Sequence, residues 1–313
     1  MRMISLLARL SPVLASCMLL SAMVHGAPAG GPIPAGVLLV KGAWPSATGS
    51  PLPLPEDGSI ANNAYDSAYF GLAYPISRDW TQRYEGPPPS DSGYYVLAQI
   101  EPSNPSGASR GRVLIAAQDM FFTLAPASNA LELVNYYKDH LGDGYRVEGS
   151  PTTLSIANHD FVRLDYLSSA AGLHWHVLAT EIRCHVVQFV FTGHSAEAME
   201  RLIQNINAVT LPDETRYPVC VKNYATAENL IERDDPVFTE LRFNPVPVRI
   251  VIDREGKVKH VHFLSAFPEQ ARSISDALSR WRFKPYQSNG EPVEVETGLM
   301  FGRLPRPNIS TPH

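Results

Sequence analysis

Cysteine is scarce in this chain, with three residues in 313. One of them, Cys17, lies in an apolar N-terminal stretch, which leaves Cys184 and Cys220 for the rest of the protein. Two cysteines cannot build a disulfide scaffold or a four-cysteine zinc site. They can form one bridge or remain as two thiols, and the sequence leaves both alternatives open.

Basic residues are also in short supply. The chain has 26 Lys and Arg against 31 Asp and Glu, a formal net charge of −5. This balance excludes a general nucleic-acid binder, which needs a basic excess to offset phosphate charge. The charged fraction of 18% is below that of a typical soluble domain, so self-repulsive disorder is not expected. The hydrophobic content of 44% is enough for one or two packed cores.

Recognisable catalytic motifs are absent as well. The sequence contains no Gly-x-Ser-x-Gly elbow, no His-Glu-x-x-His and no phosphate loop. The neighbouring acids Asp234 and Asp235 lie in a polar stretch and are read as solvated charge. We therefore expect no enzyme activity, no catalytic residue and no cofactor.

The N-terminus has the pattern of an export signal. Arg2 and Arg9 precede an uncharged stretch from residue 10 to residue 24 that is shorter than a membrane-spanning helix needs. Residues 1–26 are therefore interpreted as a cleaved signal peptide. An uncleaved anchor stays open as an alternative, as does a lipoprotein signal ending in Cys17. All three place the folded part in the periplasm or cell envelope.

Proline is the one residue type in excess, with 27 in the chain. Residues 27–60 are rich in Pro, Gly, Ala and Ser and lack periodicity, which predicts a partly extended tether.

Alternating strand patterns and two helical patterns fill residues 61–212. Leu131, Val134, Tyr137 and Leu141 recur at helical spacing after a cap at Ser128 or Asn129. The order strands, helix, strands, helix predicts an α+β sandwich with an antiparallel sheet. With its opening Phe70-Gly71-Leu72-Ala73-Tyr74-Pro75, Trp80 and the strand from Phe161 to Tyr166, this region resembles the PsbP-like fold. That resemblance implies a fold and very little function.

A second compact pattern covers residues 235–304, after a linker at 213–234 and before a tail at 305–313. A strand, an Asp-Arg-Glu-Gly turn, a return strand and a helix lead to Trp281-Arg282-Phe283-Lys284-Pro285, then to Asn289-Gly290-Glu291-Pro292-Val293 and a last strand. These motifs resemble the C-terminal domain of the TonB family. The expected fold class is thus α+β: a PsbP-like antiparallel-sheet sandwich followed by a small TonB-C-type α+β domain.

The TonB resemblance implies binding of a protein partner by strand addition. The expected partner is an outer-membrane receptor or another envelope protein, in the service of outer-membrane transport. The implied docking edge is the last strand, with the five partner-binding residues Val293, Glu294, Val295, Glu296 and Thr297. The short leader and tether are unlike those of an energy transducer. A stand-alone periplasmic binding or assembly factor without energy coupling therefore remains the alternative.

Histidines recur at strand spacing in both regions. His174 and His176 share one strand face, and His260 and His262 repeat the spacing beside Val261 and Phe263. A third metal ligand is not evident at either place, so no metal site is expected. Val261 and Phe263 would take the core side, which predicts that His260 and His262 face solvent.

Overall fold

The computed structural model describes residues 42–45, 53–84, 92–103, 111–213, 217–238 and 245–302. The predicted signal peptide at 1–26 with its alternatives, most of the tether at 27–60 and the tail at 305–313 lie outside the described residues. Among the residues described, no helix is both long and apolar enough to cross a membrane.

Strands dominate the described part of the chain. The strands before residue 213 are β1 (Gly42–Pro45), β2 (Ser59–Ala61), β3 (Ala64–Ser67), β4 (Leu72–Pro75), β5 (Trp80–Tyr84), β6 (Tyr94–Pro102), β7 (Arg112–Asp119), β8 (Tyr145–Val147), β9 (Thr152–Ile156), β10 (His159–Ser168), β11 (Leu173–Ile182) and β12 (His185–Gly193). Those after it are β13 (Val219–Cys220), β14 (Leu230–Glu232), β15 (Val246–Ile252), β16 (Val258–Phe263), β17 (Arg282–Phe283), β18 (Gln287–Ser288), β19 (Glu291–Pro292) and β20 (Val295–Phe301). The described helices are α1 (Ala130–Asp139), α2 (Ala196–Gln204), α3 (Pro268–Leu278) and a short 3₁₀ helix (Asn205–Ala208).

The predominance of strands over helices shows that the predicted α+β fold class is wrong. Nearly all strand pairings are antiparallel, and the described helices are short elements laid on sheets. Nor is the second region a small α+β domain of the TonB-C type. Its sheet takes one strand from residues 42–45 and another from residues 219–220, both outside the expected motif. Periodicity identified the individual strands, but it could not show which remote segments would join them.

The larger unit is an eight-stranded antiparallel sheet covered on both faces. Its order is β5-β6-β7-β12-β11-β10-β8, with β9 also pairing with β10. The central strand β12 is buried along its whole length, and its residues alternate between two cores. Phe189 and Phe191 pack with α2 and the small β2-β3-β4 sheet, whereas Val186 and Val190 pack on the side of α1. The cap of α1 is Asn129, whose side chain accepts a hydrogen bond from the amide of Glu132.

The second sheet has the order β1-β16-β15-β20-β13. All its pairs are antiparallel except β13 with β20. Gly256 makes the β15–β16 turn with a φ of +82°, and a Cβ there would lie 1.9 Å from the carbonyl oxygen of Phe283. Only glycine fits this position, as the turn motif predicted.

One face of the second sheet forms an apolar core with α3. Val248, Ile250 and Ile252 point to this side, together with Val261 and Phe263 from β16. Trp281 seals the same core and is 5% exposed. Its indole donates a hydrogen bond to the carbonyl of Asp234. Arg249 on β15 and Glu296 on β20 point to the opposite face, where they meet Asp119 and Tyr69 of the larger unit.

Candidate functional site

The junction between the two units is built around a buried arginine. Arg249, on β15, donates through one terminal nitrogen to Asp119 at the end of β7. Its other terminal nitrogen lies 3.0 Å from Glu296 on β20. All three side chains are at most 4% exposed. Two carboxylates from different sheets therefore share one guanidinium, and this geometry is the strong charge-assisted kind.

A second arginine closes the cluster from the β11–β12 turn. Arg183 lies 3.7 Å from Glu296 and donates to the carbonyl of Tyr69 at 3.0 Å. Its guanidinium stacks 3.9 Å from the centre of the Tyr69 ring and 4.8 Å from that of Tyr217. The Tyr69 hydroxyl donates to Glu296 at 3.2 Å. The junction cluster, defined as Asp119, Arg183, Arg249, Glu296 and Tyr69, thus holds two cations and two anions.

The surroundings shift the titration of this cluster. Burial raises the pKa of the Asp119 carboxyl, although Arg249 opposes it. For Glu296 burial acts in the same direction, but Arg249 and Arg183 outweigh it and lower the pKa. Burial also holds the pKa of His185 well below its ordinary value, and the nearby Arg249 adds to that effect. His185 is therefore a neutral imidazole in a charged junction.

The tautomer of His185 follows from its contacts. Its Nδ1 lies 2.7 Å from the carbonyl oxygen of Arg183, which can only accept, so Nδ1 carries the proton. Its Nε2 has no hydrogen-bond partner among the described residues and lies 3.8 Å from Asp119. Both side chains are fully buried. The arrangement can hold the two sheets in one orientation through its buried ion pairs.

A disulfide joins the same turn to the outer strand of the second sheet. Cys184, beside Arg183, bonds to Cys220 on β13 with a Cα–Cα distance of 5.5 Å. Of the two alternatives that the sequence left open, the bridge is therefore the one that forms. A cleft of about 440 Å³ lies beside it, lined by Met120, Phe121, Tyr217 and Lys222 among others.

The residues predicted to bind a partner lie on or just before β20, and β13 already pairs with that edge. The amide of Val219 donates to the carbonyl of Glu294 at 2.8 Å, and the amide of Val221 donates to that of Glu296 at 3.1 Å. Val295 and Thr297 are fully buried, as a core position requires for Val295. Glu296, one of the five residues of the implied docking edge, belongs to the junction cluster. Glu294 is half-buried and pairs with Lys259 at 2.7 Å. Partner binding by Val293, Glu294, Val295, Glu296 and Thr297 stays a prediction.

The opposite edge of the sheet is covered by part of the predicted tether. β1 runs antiparallel to β16, with Gly42 opposite Phe263 and Pro45 opposite His260. Pro53 and Leu54 then line a small cavity with Arg249 and Glu296, on the face of the sheet that meets the larger unit, and Pro55 is buried. Residues 42–45 and 53–57 are called the N-terminal strap below.

The histidines of this sheet are not exposed, so that expectation is wrong. His260 and His262 are 5% and 8% exposed because the strap and the larger unit cover the face that they share. The Nδ1 atom of each is buried without a hydrogen-bond partner among the described residues. The other ring nitrogen of His262 lies 3.4 Å from Glu56 of the strap.

His176 belongs to a separate cluster in the larger unit. Its Nδ1 lies 2.7 Å from Asp165, and Glu200 of α2 is close enough for the three to share an ion. The guanidinium of Arg163 already binds Asp165 at 2.8 Å and also contacts Glu200. A fixed cation occupies the middle of this group, so its donor set fits an ion-pair network better than a metal.

Comparisons with known proteins find likenesses of shape alone. No family model matches the chain, and no curated protein matches it. Cyanobacterial PsbP from Synechocystis matches with 10% identity and a TM-score of 0.36, over 50% of this chain and 99% of its own. A Pseudomonas aeruginosa protein of unknown function matches with 14% identity and a TM-score of 0.30, over 50% and 96%. Mycobacterium tuberculosis LpqN, involved in cell envelope biogenesis, matches with 12% identity and a TM-score of 0.29, over 51% and 90%.

These low identities and TM-scores limit the conclusions that the similarities can support. Each covers about half of this chain, and no TonB-type domain is among the three. With TM-scores below 0.5, they support no argument about function.

The sequence reasoning missed the junction cluster. One signal was present: Arg249 is a lone charge inside the apolar run from Val246 to Ile252, and Asp119 ends a similar run. A charge at such a place is almost never buried unless it is paired. The signal says that a partner exists, but it does not identify that partner.

Proposed function

We propose that this is an exported binding or assembly protein of the cell envelope, whose second sheet captures an extended segment of a partner protein by strand addition. The observation that carries the proposal is the composition of that sheet. Both outer strands, β1 and β13, come from outside the 235–304 motif and are only four and two residues long. A sheet edge that pairs with a short strand from elsewhere in its own chain has the geometry to pair with a strand of another protein.

Export is supported by the disulfide. Bridges such as Cys184–Cys220 form and persist in oxidising compartments and are rare where thiols are kept reduced. The apolar leader of the sequence points to the same compartment.

Binding is favoured over catalysis by the state of the titratable groups. Asp119, His185, Arg249 and Glu296 all have shifted pKa values, and all four side chains are buried. Buried charged groups that are paired with one another fit a structural joint better than an active site. Of the two alternatives, we propose the stand-alone periplasmic factor, which acts without energy coupling.

The test measures binding of ten-residue extended peptides, taken from outer-membrane proteins of the host, to the purified full chain. For each binder, versions methylated at successive backbone amides are compared. Strand addition predicts that methylation at alternate amides weakens binding at least tenfold, whereas methylation at the amides between them has little effect. Absence of any binder, or binders indifferent to methylation at every amide, would contradict the proposal.

A further inference from the structure

The edge of β20 is covered by residues 217–223, here called the cover segment, which include β13. Backbone hydrogen bonds hold it on the edge: the amide of Val219 donates to the carbonyl of Glu294 at 2.8 Å, and the amide of Val221 donates to that of Glu296 at 3.1 Å. Every residue of the segment is at least partly exposed, and Val219 is 37% exposed. Apolar burial is the main stabilising term of a packed contact, so it contributes little here.

Among the described residues, the Cys184–Cys220 bond is the only covalent tie between the cover segment and the larger unit. Tyr217 adds a stacking contact, with its ring centre 4.8 Å from the guanidinium of Arg183. The chain that follows the segment is anchored separately, because Tyr224 is buried in the core of the second sheet. Breaking the bond therefore leaves the cover segment held by backbone hydrogen bonds and one stacked ring.

The bond begins at a turn with an unusual sequence. Arg183 and Cys184 have φ values of +48° and +63°, a conformation that a two-residue hairpin turn requires and that Gly and Asn adopt most readily. The turn between β2 and β3 uses Asn62 and Asn63 in this conformation. The β11–β12 turn instead keeps two residues whose side chains serve the junction cluster and the disulfide. Departures of this kind from local preference are typical of strained or functional sites.

From these observations we infer that the Cys184–Cys220 bond is a redox switch that controls access to the β20 edge. While the bond is intact, the cover segment occupies the edge. When a protein dithiol reduces the bond, the segment leaves and an extended segment of a partner protein pairs with β20 in its place. The partner segment carries an apolar residue opposite Val295, where the resident strand has Val219. This inference rests on the proposed function and names the edge and the condition under which strand addition occurs.

The opening step is thiol–disulfide exchange. Cys220 is exposed and Cys184 is partly buried, so the attacking thiolate bonds to the sulphur of Cys220, and Cys184 leaves as a thiolate that takes up a proton. The second thiol of the dithiol loses its proton and attacks the mixed disulfide. Cys220 is then released and is protonated in turn. The dithiol is oxidised to a disulfide, and the Cys184–Cys220 bond is reduced by two electrons.

Opening of the cover segment is measured by hydrogen exchange on the full chain. The oxidised parent is compared with the parent reduced by dithiothreitol and with the double variant Cys184→Ser, Cys220→Ser. We expect exchange at the amides of Val219 and Val221 to be at least about tenfold faster in both bond-free proteins. Ile250→Ala is the control, because it destabilises the second sheet and leaves the bond intact. Unchanged exchange without the bond, or equally fast exchange in the control, would overturn the inference.

Access to the edge is measured with a peptide that copies residues 217–223 and carries Cys220→Ser. Two proteins are compared: Val219→Pro alone, and Val219→Pro combined with the two serine substitutions. The proline weakens the resident strand equally in both, because it removes the amide that donates to Glu294. We expect the peptide to bind the bond-free protein at least about tenfold more tightly. Circular dichroism establishes that both proteins remain folded. Equal binding to the two would overturn the inference.

The envelope peptides of the preceding test separate this inference from the proposed function. We expect them to bind the reduced full chain at least about tenfold more tightly than the oxidised one. Equal binding to both forms, with alternating sensitivity to methylation, would overturn the redox switch and leave strand addition intact at an edge that the bond does not control. If no envelope peptide binds either form, the proposed function fails and this inference fails with it.

Discussion

The two faces of the second sheet use alternate residues of the same strands and opposite chemistry. Toward α3, Val248 and Ile250 build an apolar core. Toward the larger unit, Arg249 and Glu296 build a charged one. Apolar packing stabilises contacts in many orientations. A buried ion pair contributes little net stability, but any orientation that separates its two charges costs free energy. The apolar face therefore holds the unit together, and the charged face sets how the two units meet.

The largest expected effect is removal of Arg249. Arg249→Ala leaves Asp119 and Glu296 buried without their guanidinium, and we expect a loss of about 3–5 kcal/mol in the free energy of unfolding. Ile250→Ala, one residue along and on the other face, should cost about 2–5 kcal/mol through the cavity that it leaves. Urea denaturation measures both changes.

A double variant distinguishes the two mechanisms. Arg249→Met combined with Asp119→Asn should be more stable than Arg249→Met alone, because the double variant no longer buries an uncompensated carboxylate at the end of β7. The amide oxygen of the substituted side chain can still accept the hydrogen bond that Asp119 receives from the amide of Phe121. Equal stability of the two variants would show that charge pairing is not what the junction depends on.

Loss of the disulfide should rank next. The bond spans 36 residues, so replacing both Cys184 and Cys220 by Ser should lower the free energy of unfolding by roughly 2–4 kcal/mol. The parent under reducing conditions provides the comparison. If neither treatment changes the denaturation midpoint, the bond is not a constraint on the junction.

The pH dependence tests the neutral histidine. His185 has a lowered pKa in the folded protein, so below its ordinary value near 6.5 the unfolded chain binds a proton that the folded one does not. Stability should therefore fall from pH 7 to pH 5, with a limiting slope of about 1.4 kcal/mol per pH unit from this group. The raised pKa of Asp119 acts in the opposite sense at lower pH.

His185→Gln should flatten this slope between pH 7 and pH 5. A His174→Gln variant is the matched control, because His174 is a partly exposed histidine of the same sheet. A slope unchanged in the His185 variant would assign the pH dependence to other groups.

The smallest effect is expected at the rim of the sheet. Lys259 and Glu294 pair at 2.7 Å, but both remain about a third exposed. Lys259→Ala should therefore change stability by less than about 1 kcal/mol, and less still in high salt. A larger loss at this site would weaken the contrast between rim and junction charges.

Sequence patterns predicted much of this fold where the signal was local. The turn at Gly256 and the core positions of Val261 and Phe263 are as expected, and Asn129 is the one of the two candidate caps that forms. Helical spacing was less exact in α1, where Leu131 is 46% exposed and Leu133 is buried in its place. The two leucines are two positions apart and lie on different sides of the helix, and only the neighbouring strands decide which side is covered.

The sequence by itself determined which residues share a strand face, because side chains alternate with a period of two wherever a strand forms. It did not determine what covers that face. His260, His262 and Glu296 lie opposite the core positions as the alternation requires, yet all three are buried. Asp119 and Arg249 are 130 residues apart, and the strap reaches β16 from the other end of the chain. Only the tertiary structure decides such contacts, because the pairing of remote segments depends on packing and charge across space, which no local pattern records.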